Sequence, residues 1–317
     1  MVEVGAERLA VEAEDVAAAA ARIAGMVRRT PLLHLDGTRL WLKCEGLQET
    51  GSFKLRGASN AVAALQPRGV VTGSSGNHGR ALALAAARAG IRCVVVMTPD
   101  VTPFKRAAVE ALGARIVQSP PGTAARNRTA LAVADEQGLT YVPPYDDALV
   151  MAGQGTVGLE IVEDMPSLRC AVVPVGGGGL ISGVSTAVRA RLGDAVRVIG
   201  VEPLDGNDTV LSRLAGQRVE VPLPRTICDG ARVQTPGALT FPVVQRRVDE
   251  VIAVDDRKVI AAMKLLAMSG VYAEPTGALA VAGALQLGLD DDESAAPAVC
   301  VVTGRNIEPR EWARLVS

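Results

Sequence analysis

Four short stretches of the chain carry side chains suited to chemistry. In Gly51-Ser52-Phe53-Lys54-Leu55-Arg56-Gly57-Ala58 a lysine follows Phe53 and opens onto an Ala-rich segment. Partial burial there would lower the pKa of Lys54 and make its amine nucleophilic toward an aldehyde; the ordinary alternative is a surface lysine. Ser74-Ser75-Gly76-Asn77-His78-Gly79 stands between a strand and a helix. Either Ser75 or Asn77 simply caps that helix, or the small polar groups receive a ligand's oxygen atoms at the carboxyl end of the strand. The tetraglycine Gly176–Gly179 follows an apolar strand and precedes a helix, so it is either a tight turn or a cradle of amides for a phosphate. It fits neither GxGxxG nor GxxxxGK[ST], which points to one phosphate on a small cofactor rather than to a dinucleotide or nucleoside triphosphate.

The fourth stretch is Glu202-Pro203-Leu204-Asp205-Gly206-Asn207-Asp208, an acidic turn whose outer carboxylates lie six positions apart. Two carboxylates and a carbonyl suit a hard cation such as Mg²⁺ or Ca²⁺, although spacing alone favours a solvated loop. The chain has two histidines and five scattered cysteines, of which the nearest, Cys44 and Cys93, are 49 positions apart. That pattern disfavours a His/Cys metal site, a Ser-His-Asp triad and a disulfide framework, and fits free thiols in a reducing compartment.

The elements that must position these residues begin at residue 69. Strands are expected at Gly69–Thr72, Arg92–Thr98, Ala114–Gln118, Thr140–Pro143, Cys170–Val175, Arg197–Val201, Val251–Val254 and Ala298–Thr303. Between them helical patterns run through Gly79–Ala89, Pro103–Leu112, Ala124–Gln137, Gln154–Asp164, Leu180–Leu192 and Asp256–Met268. This alternation predicts an α/β fold with parallel sheets covered by helices. The strands around Val94 and Val173 are almost wholly apolar, as burial on both faces requires. Leu204–Gly237, rich in Pro, Gly and Asp, reads as an irregular surface excursion.

Composition bounds the function classes. The 317 residues suggest two domains at roughly 150 residues each. A hydrophobic fraction of 49% and a mean hydropathy of +0.25 supply a large core and exclude wholesale disorder. Net charge −1 and pI 6.2 argue against nucleic acid or an anionic membrane as the main partner. The N-terminal 25 residues carry Glu3, Glu7, Glu12, Glu14 and Asp15, unlike a signal peptide, and the uncharged run at 170–188 is broken by Pro174 and glycines. The chain reads as a soluble cytoplasmic protein.

Taken in order, the lysine, serine and glycine stretches resemble those of the fold-type II pyridoxal-phosphate enzymes, within them the threonine/serine dehydratase and serine racemase family. Further matches are Arg29-Thr30-Pro31-Leu32, Ala152-Gly153-Gln154-Gly155-Thr156, Thr226-Ile227-Cys228-Asp229-Gly230, Glu274-Pro275-Thr276-Gly277 and Thr303-Gly304-Arg305-Asn306. The resemblance implies two domains, a small one at 67–147 inserted into a large one at 1–66 and 148–317, with pyridoxal 5'-phosphate between them. It implies that Lys54 forms the Schiff base and Phe53 lies beside the ring. Asn77 would bond the ring hydroxyl, Gly176, Gly177, Gly178 and Gly179 the phosphate, with Glu274 near the ring and Thr303 facing its nitrogen. Ser74, Ser75, Asn77 and His78, helped by Arg126, would receive the substrate carboxylate. It further implies a homodimer, a divalent cation (Mg²⁺, Mn²⁺ or Ca²⁺) on Glu202, the Gly206 carbonyl and Asp208, and no C-terminal effector-binding domain.

A neutral hydroxyl opposite the pyridine nitrogen makes the ring a weaker electron sink than a carboxylate would, so a Cα carbanion expels a β-hydroxyl rather than persisting. The expected reaction is therefore dehydration and deamination of L-serine or L-threonine to a 2-oxo acid and ammonia, with Lys54 as base. Racemisation is the alternative, with Ser75 as the acid on the opposite face. Where the family usually has Ser-Gly-Gly-Asn this chain has Thr-Gly-Arg-Asn, so Arg305 either meets a second carboxylate, as on threo-3-hydroxyaspartate, or points to solvent. A non-catalytic carrier on the same fold would need no activated amine. β-Replacement is disfavoured by the Thr-Ile-Cys-Asp-Gly and Glu-Pro-Thr-Gly matches.

Overall fold

The computed structural model describes residues 8–74, 76–290 and 297–317. Among the described residues ten strands form two sheets: β1 (Leu32–His34), β2 (Leu40–Cys44), β3 (Gly69–Gly73), β4 (Arg92–Met97), β5 (Arg115–Gln118), β6 (Thr140–Tyr141), β7 (Cys170–Pro174), β8 (Arg197–Pro203), β9 (Glu250–Val254) and β10 (Ala298–Val302). The smaller sheet has the order β5-β4-β3-β6 and the larger β1-β2-β10-β7-β8-β9. Every pairing is parallel except β1 with β2. β3, β7 and β10 are buried along their whole length, as strands covered on both faces must be.

All eight expected strands are present. The sequence reading missed β1 and β2, because they are short and β2 places Lys43 inside an otherwise apolar run. The Ala-rich start at Lys54 is the helix Lys54–Leu65, whereas the helices Ala13–Arg22, Thr240–Arg247, Pro275–Gln286 and Pro309–Val316 were not expected. Leu204–Gly237 is corrected in part: it contains a helix, Asp208–Ala215, whose Asp208, Thr209 and Ser212 are buried, although Leu204 and Leu223 are exposed.

Local chemistry sets the helix ends. Thr102 caps the helix at Pro103, Asp147 Oδ1 accepts from Val150 N at 2.9 Å, and Asp255 Oδ1 accepts from Lys258 N at 3.0 Å. The motif Ala152–Thr156 serves packing. A Cβ on Gly153 would meet the Gly57 Cα at 2.6 Å, and one on Gly155 would meet the Gly183 carbonyl at 2.9 Å. Two glycines on one helix thus let Ala148–Asp164 lie against both the Lys54 helix and the helix that follows the tetraglycine.

Candidate active site

Lys54 opens the helix Lys54–Leu65 immediately after a segment pinned to the end of β10. Phe53 N donates to the Thr303 carbonyl at 3.1 Å, Arg305 N donates to the Gly51 carbonyl at 2.9 Å, and Ser52 bridges to Gly304. The positive φ of 77° at Gly51 makes this turn possible. Lys54 Nζ donates to the Pro144 carbonyl at 2.5 Å and lies 5.0 Å from the Phe53 ring centroid. Burial of this amine lowers its pKa to about 8. The result is an amine with a substantial neutral fraction near neutrality, as nucleophilic and base chemistry both need.

Gly176–Gly179 follow β7 and lead into the helix Gly179–Leu192. Gly178 adopts φ 91°, and the Gly177 carbonyl accepts from Thr240 Oγ1 at 2.6 Å. The Tyr145 ring lies on Gly177, and its Cβ and backbone lie on Gly179, so a Cβ at either glycine would collide with Tyr145. Among the described residues, the amides of Gly178, Gly179 and Leu180 donate to no protein acceptor. Free amides at the positive end of a helix fit a phosphate group.

Asn77, Glu274 and Asn306 form a chain beside Lys54. Asn77 Nδ2 donates to Glu274 Oε1 at 2.6 Å, Asn306 Nδ2 to Asn77 Oδ1 at 2.6 Å, and Arg80 to Asn306 Oδ1 at 2.7 Å. Burial, and then the nearby Asp229, raise the Glu274 carboxyl to about 7. The Thr303 hydroxyl is buried and makes only a long bond, 3.4 Å, to the Thr276 carbonyl.

The residues expected to receive a carboxylate differ in setting. The Ser74 hydroxyl accepts from Gly76 N at 3.4 Å, and Ser75 lies outside the described residues. His78 is buried with Nε2 at 3.1 Å from the Val142 carbonyl. Burial and the Lys54 amine lower its pKa to about 3, so its ring is neutral and its Nδ1 has no partner among the described residues. His78 can therefore offer a ligand at most a neutral ring nitrogen, not a positive charge. Arg126 lies beside Gly73 with its Nε buried and without a partner among the described residues. Arg305 is exposed.

Glu202 is fully buried, and its carboxylate accepts from Thr209 N at 3.1 Å and Val210 N at 2.9 Å. Asp208 is also buried, and neither of its carboxylate oxygens has a donor among the described residues. Burial raises Glu202 to about 7; burial and then Glu202 raise Asp208 to about 8. The solvated-loop alternative is thereby removed. Two desolvated carboxylates, of which Asp208 has both oxygens without a donor among the described residues, near the buried Gly206, are a donor set that a hard cation fits.

Several participants escaped the sequence reading. Pro144 and Tyr145 sit in a plain Pro/Asp stretch, and Thr240 in a helix not expected from sequence. Nothing local marks them; only folding brings them to Lys54 and the tetraglycine.

A family model described as "Pyridoxal-phosphate dependent enzyme" matches residues 23–304. An L-threonine ammonia-lyase of Geobacter sulfurreducens is 38% identical over 299 residues, 90% of this chain and 73% of that protein. An L-threo-3-hydroxyaspartate ammonia-lyase of Saccharomyces cerevisiae is 37% identical over 315 residues, 96% of this chain and 95% of that one. The structure of maize serine racemase superposes with a TM-score of 0.91 at 36% identity, covering 96% of each chain.

Proposed function

The chain belongs to the pyridoxal-phosphate dependent enzymes, and we propose that it is an ammonia-lyase that dehydrates and deaminates a β-hydroxy amino acid such as L-serine or L-threonine. The carrying observation is Lys54, a desolvated amine at the Pro144 carbonyl on a helix whose start is pinned to Thr303 and Gly304, in a chain that also offers free amides at Gly178–Leu180. Pyridoxal phosphate bound there supplies an electron sink for the pair of electrons left at Cα.

The chain's own residues do the rest. Lys54 would carry the cofactor and, with its amine free, would take the Cα proton. The glycine amides would hold the phosphate, Asn77 would bond the ring hydroxyl and Thr303 the ring nitrogen, and Phe53 and Glu274 would pack the ring. Ser74, Ser75, Asn77 and, through its backbone amide, His78 would orient the carboxylate, with Arg126 supplying the positive charge. Loss of the Cα proton and the β-hydroxyl as water leaves an enamine, and hydrolysis of its imine form by a second water releases ammonia and leaves a 2-oxo acid: pyruvate from serine, 2-oxobutanoate from threonine.

Glu202, the Gly206 carbonyl and Asp208 hold Mg²⁺, Mn²⁺ or Ca²⁺, which orders their turn without taking part in proton transfer. The domain division is 1–66 with 148–317 against 67–147; the strands of the smaller sheet all fall within 69–141. A homodimer in the cytoplasm completes the reading. Among the described residues no helix is long and apolar enough to cross a membrane.

A panel of serine, threonine and threo-3-hydroxyaspartate, scored for 2-oxo acid and for the chirality of the residual amino acid, tests this. Release of 2-oxo acid from at least one member is expected. Clean racemisation of serine with no 2-oxo acid from any member overturns it and makes Ser75 the second acid–base group.

A further inference from the structure

Arg56 lies two residues after Lys54, in the first turn of the same helix, and its side chain is fully buried. Its guanidinium makes six hydrogen bonds. Nε donates to Glu45 Oε2 at 2.9 Å and Nη2 to Glu45 Oε1 at 2.7 Å, a two-pronged contact. Nη1 and Nη2 also donate to the two oxygens of Glu160, at 2.6 and 2.8 Å. The Thr156 hydroxyl and the Arg28 carbonyl accept the remaining two bonds, at 3.1 and 3.3 Å. Glu45, itself fully buried, comes from the turn after β2; Glu160 comes from the helix Ala148–Asp164 and is further bound by the buried Lys43 at 2.7 Å.

This cluster brings four charges into the interior, two of each sign. A buried ion pair is weak evidence for stability, since desolvation offsets the attraction, and well-packed apolar residues often serve as well. What the planar guanidinium adds is a fixed geometry: it fits two carboxylates at once, which neither an apolar side chain nor a lysine reproduces. Lys54 must alternate between holding the cofactor and taking a proton, so its side chain moves while the helix start from which it moves stays put. The next residue is held too, because Gly57 N donates to Gln154 Oε1 at 3.2 Å, again on Ala148–Asp164.

We infer that Arg56, clamped by Glu45 and Glu160, is a positioning residue that fixes the first helical turn so that the Lys54 amine meets the Cα proton in register. The inference rests on the assignment of Lys54 given above. Arg56 does not touch the amine; it acts through the backbone between residues 54 and 56.

The test uses the holoenzyme of Arg56→Lys and, separately, Glu160→Gln. Turnover is expressed per bound pyridoxal phosphate, with KM, the melting temperature and the exchange of the Cα proton with solvent measured alongside. Displacement of a reacting group by a fraction of an ångström to an ångström costs about tenfold to a hundredfold in rate. Arg56→Lys is therefore expected to lose at least about tenfold in kcat and in proton exchange per loaded site, with KM within about threefold. Glu160→Gln, which keeps the shape, should show a smaller loss in the same direction. A structural role alone would lower the melting temperature and the loaded fraction but leave the rate per loaded site unchanged, and that result overturns the inference. Should Arg56→Lys fail to fold, an unchanged per-site rate in Glu160→Gln overturns it equally. Failure of the Lys54 assignment is distinguishable, since Lys54→Ala would then retain activity whatever Arg56→Lys does.

Discussion

Asn77 and Glu274, 197 positions apart, join the two sheets through one hydrogen bond of 2.6 Å from Nδ2 to Oε1. Asn77 begins the helix after β3 in the smaller sheet, and Glu274 caps the helix Pro275–Gln286 that packs on the larger one. The bond couples the ionisation of a buried carboxyl to the contact between the two layers.

The first prediction follows from that carboxyl. Burial raises Glu274 from its ordinary 4.5 to about 7, so the native state binds a proton more tightly than the unfolded chain. Its contribution to stability is present below about pH 4.5 and is lost as pH rises through 7. Glu274→Gln removes that loss. Melting curves of the apoprotein should fall less between pH 5 and 8 in the variant than in the wild type. A residual slope of the same sign is expected from Glu202 and Asp208, also raised. An undiminished slope would contradict the assignment.

Borohydride treatment of the holoenzyme should fix the cofactor to the protein and abolish its absorption band at the edge of the visible. Peptide mapping should place the label on Lys54, the lysine whose amine burial has brought to about 8. A label on any other lysine would refute the site.

Gly177→Ala places a methyl group where the Tyr145 ring now lies. Overpacking of this kind costs on the order of 1–3 kcal/mol. Spent at the proposed phosphate cradle, it should weaken pyridoxal phosphate binding by about tenfold or more, read by titrating the apoprotein. Circular dichroism checks that the fold persists; unchanged affinity would mean that these glycines do not form the phosphate site.

EDTA should lower both activity and melting temperature, and Mg²⁺ or Mn²⁺ should restore them. Cation at a hundredfold excess over its Kd stabilises by about 2.7 kcal/mol. Asp208→Ala, which removes the two orphaned oxygens, should abolish the response. A variant that still gained stability from Mg²⁺ to the wild-type extent would remove the case for the site.

Arg305, which on sequence could either read a second carboxylate or point to solvent, has an exposed side chain. Arg305→Gly is therefore expected to leave the ratio of kcat/KM for serine and hydroxyaspartate within about twofold, in line with the ±0.5 kcal/mol typical of surface changes. Selective loss of hydroxyaspartate turnover would instead assign Arg305 to specificity.

The sequence by itself determined the alternation of strands and helices, because each such element is encoded by a local period and local caps, as at Thr102 and Asp255. It also determined the candidate lysine and the tetraglycine, since an amine inside an apolar segment and a run of residues without Cβ are visible without any partner. It left β1 and β2 unread, because Lys43 looks like a surface residue until Glu160, 117 positions away, is brought against it. Tertiary structure alone decided that Glu202 and Asp208 are buried together rather than solvated, that the His78 ring is neutral, and that Tyr145 lies on the tetraglycine. The clamp on Arg56 belongs to the same class, with partners 11 and 104 positions away. Burial and charge pairing are properties of the packed layers, and a side chain's chemistry depends on neighbours that its own stretch of sequence does not contain.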